Sequence, residues 1–125
     1  MVTYDFKKQE NISEIFNHLL LAHGKADLYA LDINWVEDGT SEFLNNGGEV
    51  LLFADKDSAM SVYEDVLSSL FVDDYSFVDV SVSCYNVSKD EFDFPLTDND
   101  LVEYYAEHMD SNNEFVSKRI KGNAL

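Results

Sequence analysis

The spacing of apolar positions changes from one segment of the chain to the next, and each spacing predicts an element. Val50-Leu51-Leu52-Phe53-Ala54 is a continuous apolar run between paired glycines and Asp55-Lys56-Asp57. So short a run, with β-branched and aromatic members and turn residues at both ends, predicts a buried strand. Asp57 is then placed to cap a helix, because a carboxylate there accepts unpaired amide protons at the positive end of the helix dipole. Ala59, Val62, Tyr63, Val66, Leu67 and Leu70 follow at helical spacing, with Glu64, Asp65, Ser68 and Ser69 on the other side. One face packs and the other is wet.

Upstream, Val2 to Phe6 alternates weakly and predicts a first strand. Asn11 opens a helix, with Glu14 three residues on as in a capping box. Ile12, Ile15, Phe16, Leu19, Leu20 and His23 share a face, and Gly24 stands where a left-handed C-terminal cap is wanted. Leu31, Ile33 and Trp35 alternate with Asp32, Asn34 and Val36, the pattern of a half-exposed strand. Glu37 to Gly48 reads as a loop, with Phe43 and Leu44 turned back towards the core. The clearest alternation sets Val78, Val80, Val82 and Cys84 against Asp79, Ser81, Ser83 and Tyr85. Ser88 to Thr97 is an acidic loop holding Phe92, Phe94 and Pro95. Thr97 with Asp100 offers a second capping box, opening a helix with Leu101, Val102, Tyr105, His108 and Met109 on its apolar side. Glu114 to Ile120 reads as a last short helix ending before Gly122.

This order predicts one α+β domain over residues 1–125. Residues 1–87 would form a ferredoxin-like βαββαβ antiparallel sheet with its helices on one face, and residues 88–125 an acidic loop and a C-terminal helical extension. Hydrophobic residues at 46% and aromatics at 14% supply enough material for a core and exclude global disorder. The N-terminus lacks the apolar run of a signal peptide, no segment has the length of a membrane span, and Cys84 is the single cysteine. A reducing cytoplasm is the expected compartment, the host cytoplasm if the chain is phage-encoded.

Charge alters this picture most. The formal net charge is -17, and between Asp27 and Ser117 the only basic residues are Lys56 and Lys89. Such a surface repels nucleic acid and anionic membranes, so the expected partner is a basic protein. The search for catalytic chemistry is mostly negative. Asp55-Lys56-Asp57 and Asp98-Asn99-Asp100 begin like calcium loops but fail at later ligand positions. His18, His23 and His108 form no zinc motif, Cys84 reads as a small inward-facing hydrophobe, and Gly47-Gly48 precedes a strand rather than a phosphate-binding helix. No metal, no cofactor and no enzymatic activity are expected.

One constellation has geometric content. Asp100, Glu103, Glu107 and Asp110 recur at intervals of three, four and three, along one stripe of a helix. At 1.5 Å rise per residue, carboxylates on successive turns stand roughly 5–6 Å apart, of the order of neighbouring phosphates on a nucleic-acid strand. Asp90, Glu91, Asp93 and Asp98 extend the acidic surface, Asp73, Asp74 and Asp79 are expected to continue it elsewhere, and Tyr104, Tyr85, Phe92 and Phe94 are candidate interface aromatics. A solvated helix face is the better explanation of an isolated stripe, but few compensating lysines or arginines lie nearby and solvated faces normally intersperse both signs of charge, so the two readings weigh about evenly. The first functional reading is therefore a non-enzymatic inhibitor that mimics nucleic acid before a basic groove, in the style of phage anti-restriction or anti-CRISPR proteins. An immunity protein or antitoxin neutralising a basic nuclease toxin shares the same charge logic. A ferredoxin-like enzyme or small-molecule sensor, and general adaptation to high salt, complete the alternatives. The first reading expects lysine at Asp100, Glu103 and Glu107 to abolish binding and leave the fold intact.

Overall fold

A computed structural model describes residues 2–36, 46–69, 77–109, 111 and 113–121. The elements run β1 (Val2–Lys8), α1 (Ile12–His23), β2 (Lys25–Val36), β3 (Asn46–Phe53), α2 (Lys56–Ser69), β4 (Phe77–Ser88), a single 3-10 turn at Lys89–Glu91, α3 (Asp98–His108) and β5 (Glu114–Lys121). The loop expected around Phe43 and Leu44, the acids Asp73 and Asp74, and Leu70 lie outside the described residues.

The class is α+β, but the sheet is not ferredoxin-like. Its five strands lie in the order β1-β3-β2-β4-β5. The first three strands pair as a ferredoxin-like unit would, β1 parallel to β3 and β3 antiparallel to β2. The fourth does not. In a ferredoxin-like sheet it would lie beside β1; here it pairs antiparallel with β2, in register from Lys25↔Ser88 to Val36↔Phe77. β2 and β4 are the two 12-residue strands, and joining them gives the longest ladder among the described strands. β1, with the sequence VTYDFKK, is left at an edge, where charged residues discourage pairing with another chain.

The helices also cover both faces rather than one. Ile12, Phe16 and Leu20 of α1 and Leu101 and Tyr105 of α3 pack with Ala26, Leu28, Ala30, Val50, Leu52, Tyr85 and Val87. On the opposite face Ala59 and Tyr63 of α2 pack with Leu31, Ile33, Phe53, Val78, Val80 and Val82. β2 is apolar on both faces from Leu28 to Leu31, while from Leu31 to Asn34 it keeps the half-exposed alternation, with Leu31 and Ile33 buried and Asp32 and Asn34 on the more open side. The reason was present in Val50 to Phe53, since a run apolar at every position needs cover above and below.

The second correction concerns Glu114 to Lys121, which is a strand, so among the described residues α3 is the one α-helix of the C-terminal region. β5 pairs antiparallel with β4, Val116 opposite Val82 and Ile120 opposite Val78, with a register shift at Val82 and Ser83. An eight-residue segment is too short for periodicity to separate the two states. Lys118, Arg119 and Lys121 suit it to the exposed edge.

Capping was partly as expected. Gly24 ends α1 at φ 76, a left-handed conformation that a Cβ would strain, and its N–H donates to the Leu20 carbonyl at 2.8 Å. Thr97 and Asp100 form the full capping box of α3. Asn11 occupies the N-cap of α1 but its side chain makes no cap hydrogen bond. At α2 the capping carboxylate is Asp55, which accepts from the Ser58 N–H at 2.8 Å; Asp57 lies in the first turn. This hydrogen bond holds the Asp55 carboxyl below its ordinary value, outweighing the opposing effect of the residue's own slight burial.

Candidate functional site

The segment joining β4 to α3 is fixed to α1 at two points. Asn17, halfway along α1, donates from Nδ2 to the Leu96 carbonyl at 3.0 Å and accepts the Leu96 N–H on Oδ1 at 2.9 Å. Asp98, the first residue of α3, accepts the Ser13 N–H at 3.2 Å. That bond supplies from another element the N-terminal cap that Asn11 does not give, at the end of α1 where the dipole favours an anion. Phe94-Pro95, a cis peptide, lies within the segment so held.

With the segment anchored, its acidic side faces α3. Glu91, Phe92, Asp93, Asp100, Glu103, Tyr104 and Glu107 line an open concavity of about 220 Å³. Five of these seven are carboxylates, and neither lysine nor arginine is among them. The aromatic floor is well supported. Tyr104 stacks on His108 with ring centroids 4.1 Å apart and meets Phe92 at 5.7 Å and Tyr85 edge-on at 6.4 Å. Nδ1 of His108 lies 2.8 Å from the Tyr104 carbonyl oxygen. Burial, then the neighbouring Glu91 carboxylate, raises the Tyr104 phenol above its ordinary value. The ring is therefore a neutral donor at physiological pH, held in place among anions.

The sequence-predicted carboxylates separate into three groups. Glu91, Asp93, Asp100, Glu103 and Glu107 come together with Tyr104. Asp90 is exposed beside the concavity without lining it, and Asp98 is engaged at the start of α1. Asp110 lies outside the described residues. Within the concavity Asp100 also has a structural task, since its Oδ2 accepts the Thr97 N–H at 2.8 Å. Lysine there would remove the cap, at a cost of about 1 kcal/mol, as well as reverse the charge, so the triple substitution does not test charge alone. Glu103 accepts from Asn99 Nδ2 at 3.0 Å and, like Glu107, is exposed, so reversing these two charges costs one exposed hydrogen bond and leaves the cap intact.

Two further recesses were not evident from sequence, because distant strands build them. One, of about 410 Å³, exposes Asp32, Asn34 and Ser81 beside Glu114, Lys118 and Arg119. Asp32 accepts from the Tyr105 hydroxyl at 3.3 Å and from Asn34 at 3.0 Å, and burial raises its carboxyl above the ordinary value despite both bonds. Arg119 grips Asp79 through two bonds of 2.7 and 2.8 Å, so Asp79 belongs to this mixed-charge region and not to the acidic concavity. The other joins Tyr29, Lys56, Cys84 and Phe115 on the α2 side. Cys84 is half-buried there, and its thiol is raised first by burial, the condition of an unreactive cysteine. Among the described residues no group of three or more histidine, cysteine, aspartate or glutamate side chains is arranged to hold a metal ion, and no helix is long and apolar enough to cross a membrane.

Compared with protein-family models, curated proteins and solved structures, the chain matches none.

Proposed function

We propose that this protein is a non-enzymatic acidic inhibitor that docks its α3 concavity onto the basic surface of a nucleic-acid-handling protein, occupying the place of phosphates. The observation that carries this reading is the concavity itself: five carboxylates around a fixed aromatic ring, with no lysine or arginine in its lining. A rigid aromatic at the centre of a charged ring is the arrangement in which interface binding energy concentrates. Carboxylates on successive turns of α3 repeat at roughly the phosphate interval. The net charge of -17 steers a basic partner from a distance, so association is fast at low salt and weakens as salt screens it. Direct contact with nucleic acid or anionic lipid is disfavoured by the same field.

Capture from a host lysate at low salt, stepwise salt elution and mass spectrometry test the reading. The expected result is a basic nuclease, polymerase or CRISPR effector eluting at moderate salt from the parent protein and absent from Glu103→Lys/Glu107→Lys. Recovery of a single small basic toxin would redirect the assignment to an immunity protein. Equal recovery on parent and variant would remove the concavity from the account.

A further inference from the structure

The segment that walls the acidic concavity has a second side. Phe92 and Asp93 line the concavity, while the next two residues, Phe94 and Pro95, line a groove of about 470 Å³ against Glu14, Asn17 and Leu21 of α1. Consecutive Cα atoms are about 3.8 Å apart, so the two recesses share one wall. Leu21 is 59% exposed although its neighbour Leu20 is fully buried. It projects from the stripe Glu14, Asn17, Leu21, spaced three and four residues apart, which faces the groove. The groove is preformed, because the two Asn17–Leu96 hydrogen bonds and the Asp98–Ser13 bond fix its wall to its floor.

Charge selects the occupant. The adjoining concavity holds five carboxylates and Glu14 stands in the groove. A second copy presenting this same face would set carboxylates against carboxylates, and nucleic acid or an anionic bilayer would be repelled in the same way. We infer that the groove and the concavity form one continuous docking surface for a basic amphipathic protein segment, with an aliphatic side chain seated against Leu21, Phe94 and Pro95 and lysine or arginine side chains over Glu91, Glu103 and Glu107. This names the kind of partner surface met by the inhibitor proposed above and rests on that reading. On an amphipathic helix, an apolar residue and basic residues one or two turns away span the shared wall at about 5–10 Å.

Fluorescence anisotropy at low salt tests it with two labelled synthetic peptides of equal net charge, an oligolysine and a lysine–leucine amphipathic peptide. The parent should bind the amphipathic peptide about tenfold more tightly, the contribution of one seated aliphatic side chain. Leu21→Gln should remove that advantage and leave oligolysine affinity unchanged. Ala22→Gln, at an exposed position outside the groove lining, should keep it, and Glu103→Lys/Glu107→Lys should weaken both peptides. Equal binding of the two peptides by the parent, or an advantage that survives Leu21→Gln, overturns the groove while leaving the acidic concavity in place. Binding of neither peptide by the parent overturns the concavity reading and the groove together.

Discussion

Asp32 and Asp100 show that a carboxylate in an acidic chain is defined by its partners. Asp100 lies in the stripe that the sequence marks as a binding face, yet it closes the capping box of α3. Its double role was half legible, since the box and the stripe could each be read, but only the folded geometry sets them in one side chain. Asp32 was read merely as the polar position of a strand. It is half-buried, and burial holds its carboxyl above the ordinary 3.8, with the Tyr105 and Asn34 hydrogen bonds acting the other way. The folded chain therefore binds this proton more tightly than the unfolded chain does. The stability so gained is fully present below 3.8 and is lost as pH rises through the folded value. Asp32→Asn keeps an acceptor for Tyr105 and removes the titration. In urea unfolding, the variant should gain on the parent as pH is raised above 3.8 and level off once pH has passed the folded value. A parent–variant difference independent of pH would mean that Asp32 is not desolvated in the fold.

Elements were easier to foresee than their arrangement. The faces of α1, α2 and α3 follow from helical spacing, and Ile12, Phe16, Leu20, Ala59, Tyr63, Leu101 and Tyr105 are buried as that spacing requires. Strand pairing is a long-range choice, and the preference of β2 for β4 depends on matched lengths that became apparent only when β2 was seen to begin at Lys25. The continuous run Val50 to Phe53 nevertheless called for helices on both faces. Least legible was the tether between α1 and the segment before α3, because Asn17 and Leu96 are 79 residues apart and neither belongs to a recognisable motif. Asn17→Ala would leave the N–H and carbonyl of Leu96 without their partner, each a loss of about 1–3 kcal/mol where water does not replace it. Leu96 is buried and the bonds are partly so, so a destabilisation of about 2 kcal/mol is expected in urea titration. The concavity should loosen in the same variant, with faster amide exchange from Phe92 to Leu96. Unchanged stability and exchange would mean that the tether does not shape the site.

At the scale of the molecule, the charge was visible from composition while its focus was not. The sequence distributes acids along the chain; folding gathers five at α3 and places Lys118, Arg119 and Lys121 together on β5 at the sheet edge. A net charge of -17 on one small domain opposes compactness, and screening relieves the opposition. Melting temperature should therefore rise between about 10 mM and about 300 mM sodium chloride, where the Debye length shortens from about 30 Å to below 8 Å. A flat or falling curve would mean that local pairing already neutralises the field. Stability and binding thus respond oppositely to salt: the fold tightens as the attraction to a basic partner fades.

The measurement that bears most directly on the inhibitor reading is displacement of DNA from the captured partner at fixed low salt. Partner and labelled duplex are mixed, and parent or Glu103→Lys/Glu107→Lys protein is titrated in. Both side chains are exposed, so the variant keeps the fold, which an unchanged melting curve verifies. The parent should release the duplex, and the variant should need at least tenfold more protein or fail to release it, since two reversed charges face the basic groove. Equal displacement by the two proteins would contradict the account, because the carboxylates of α3 would then have no part in competition with phosphate.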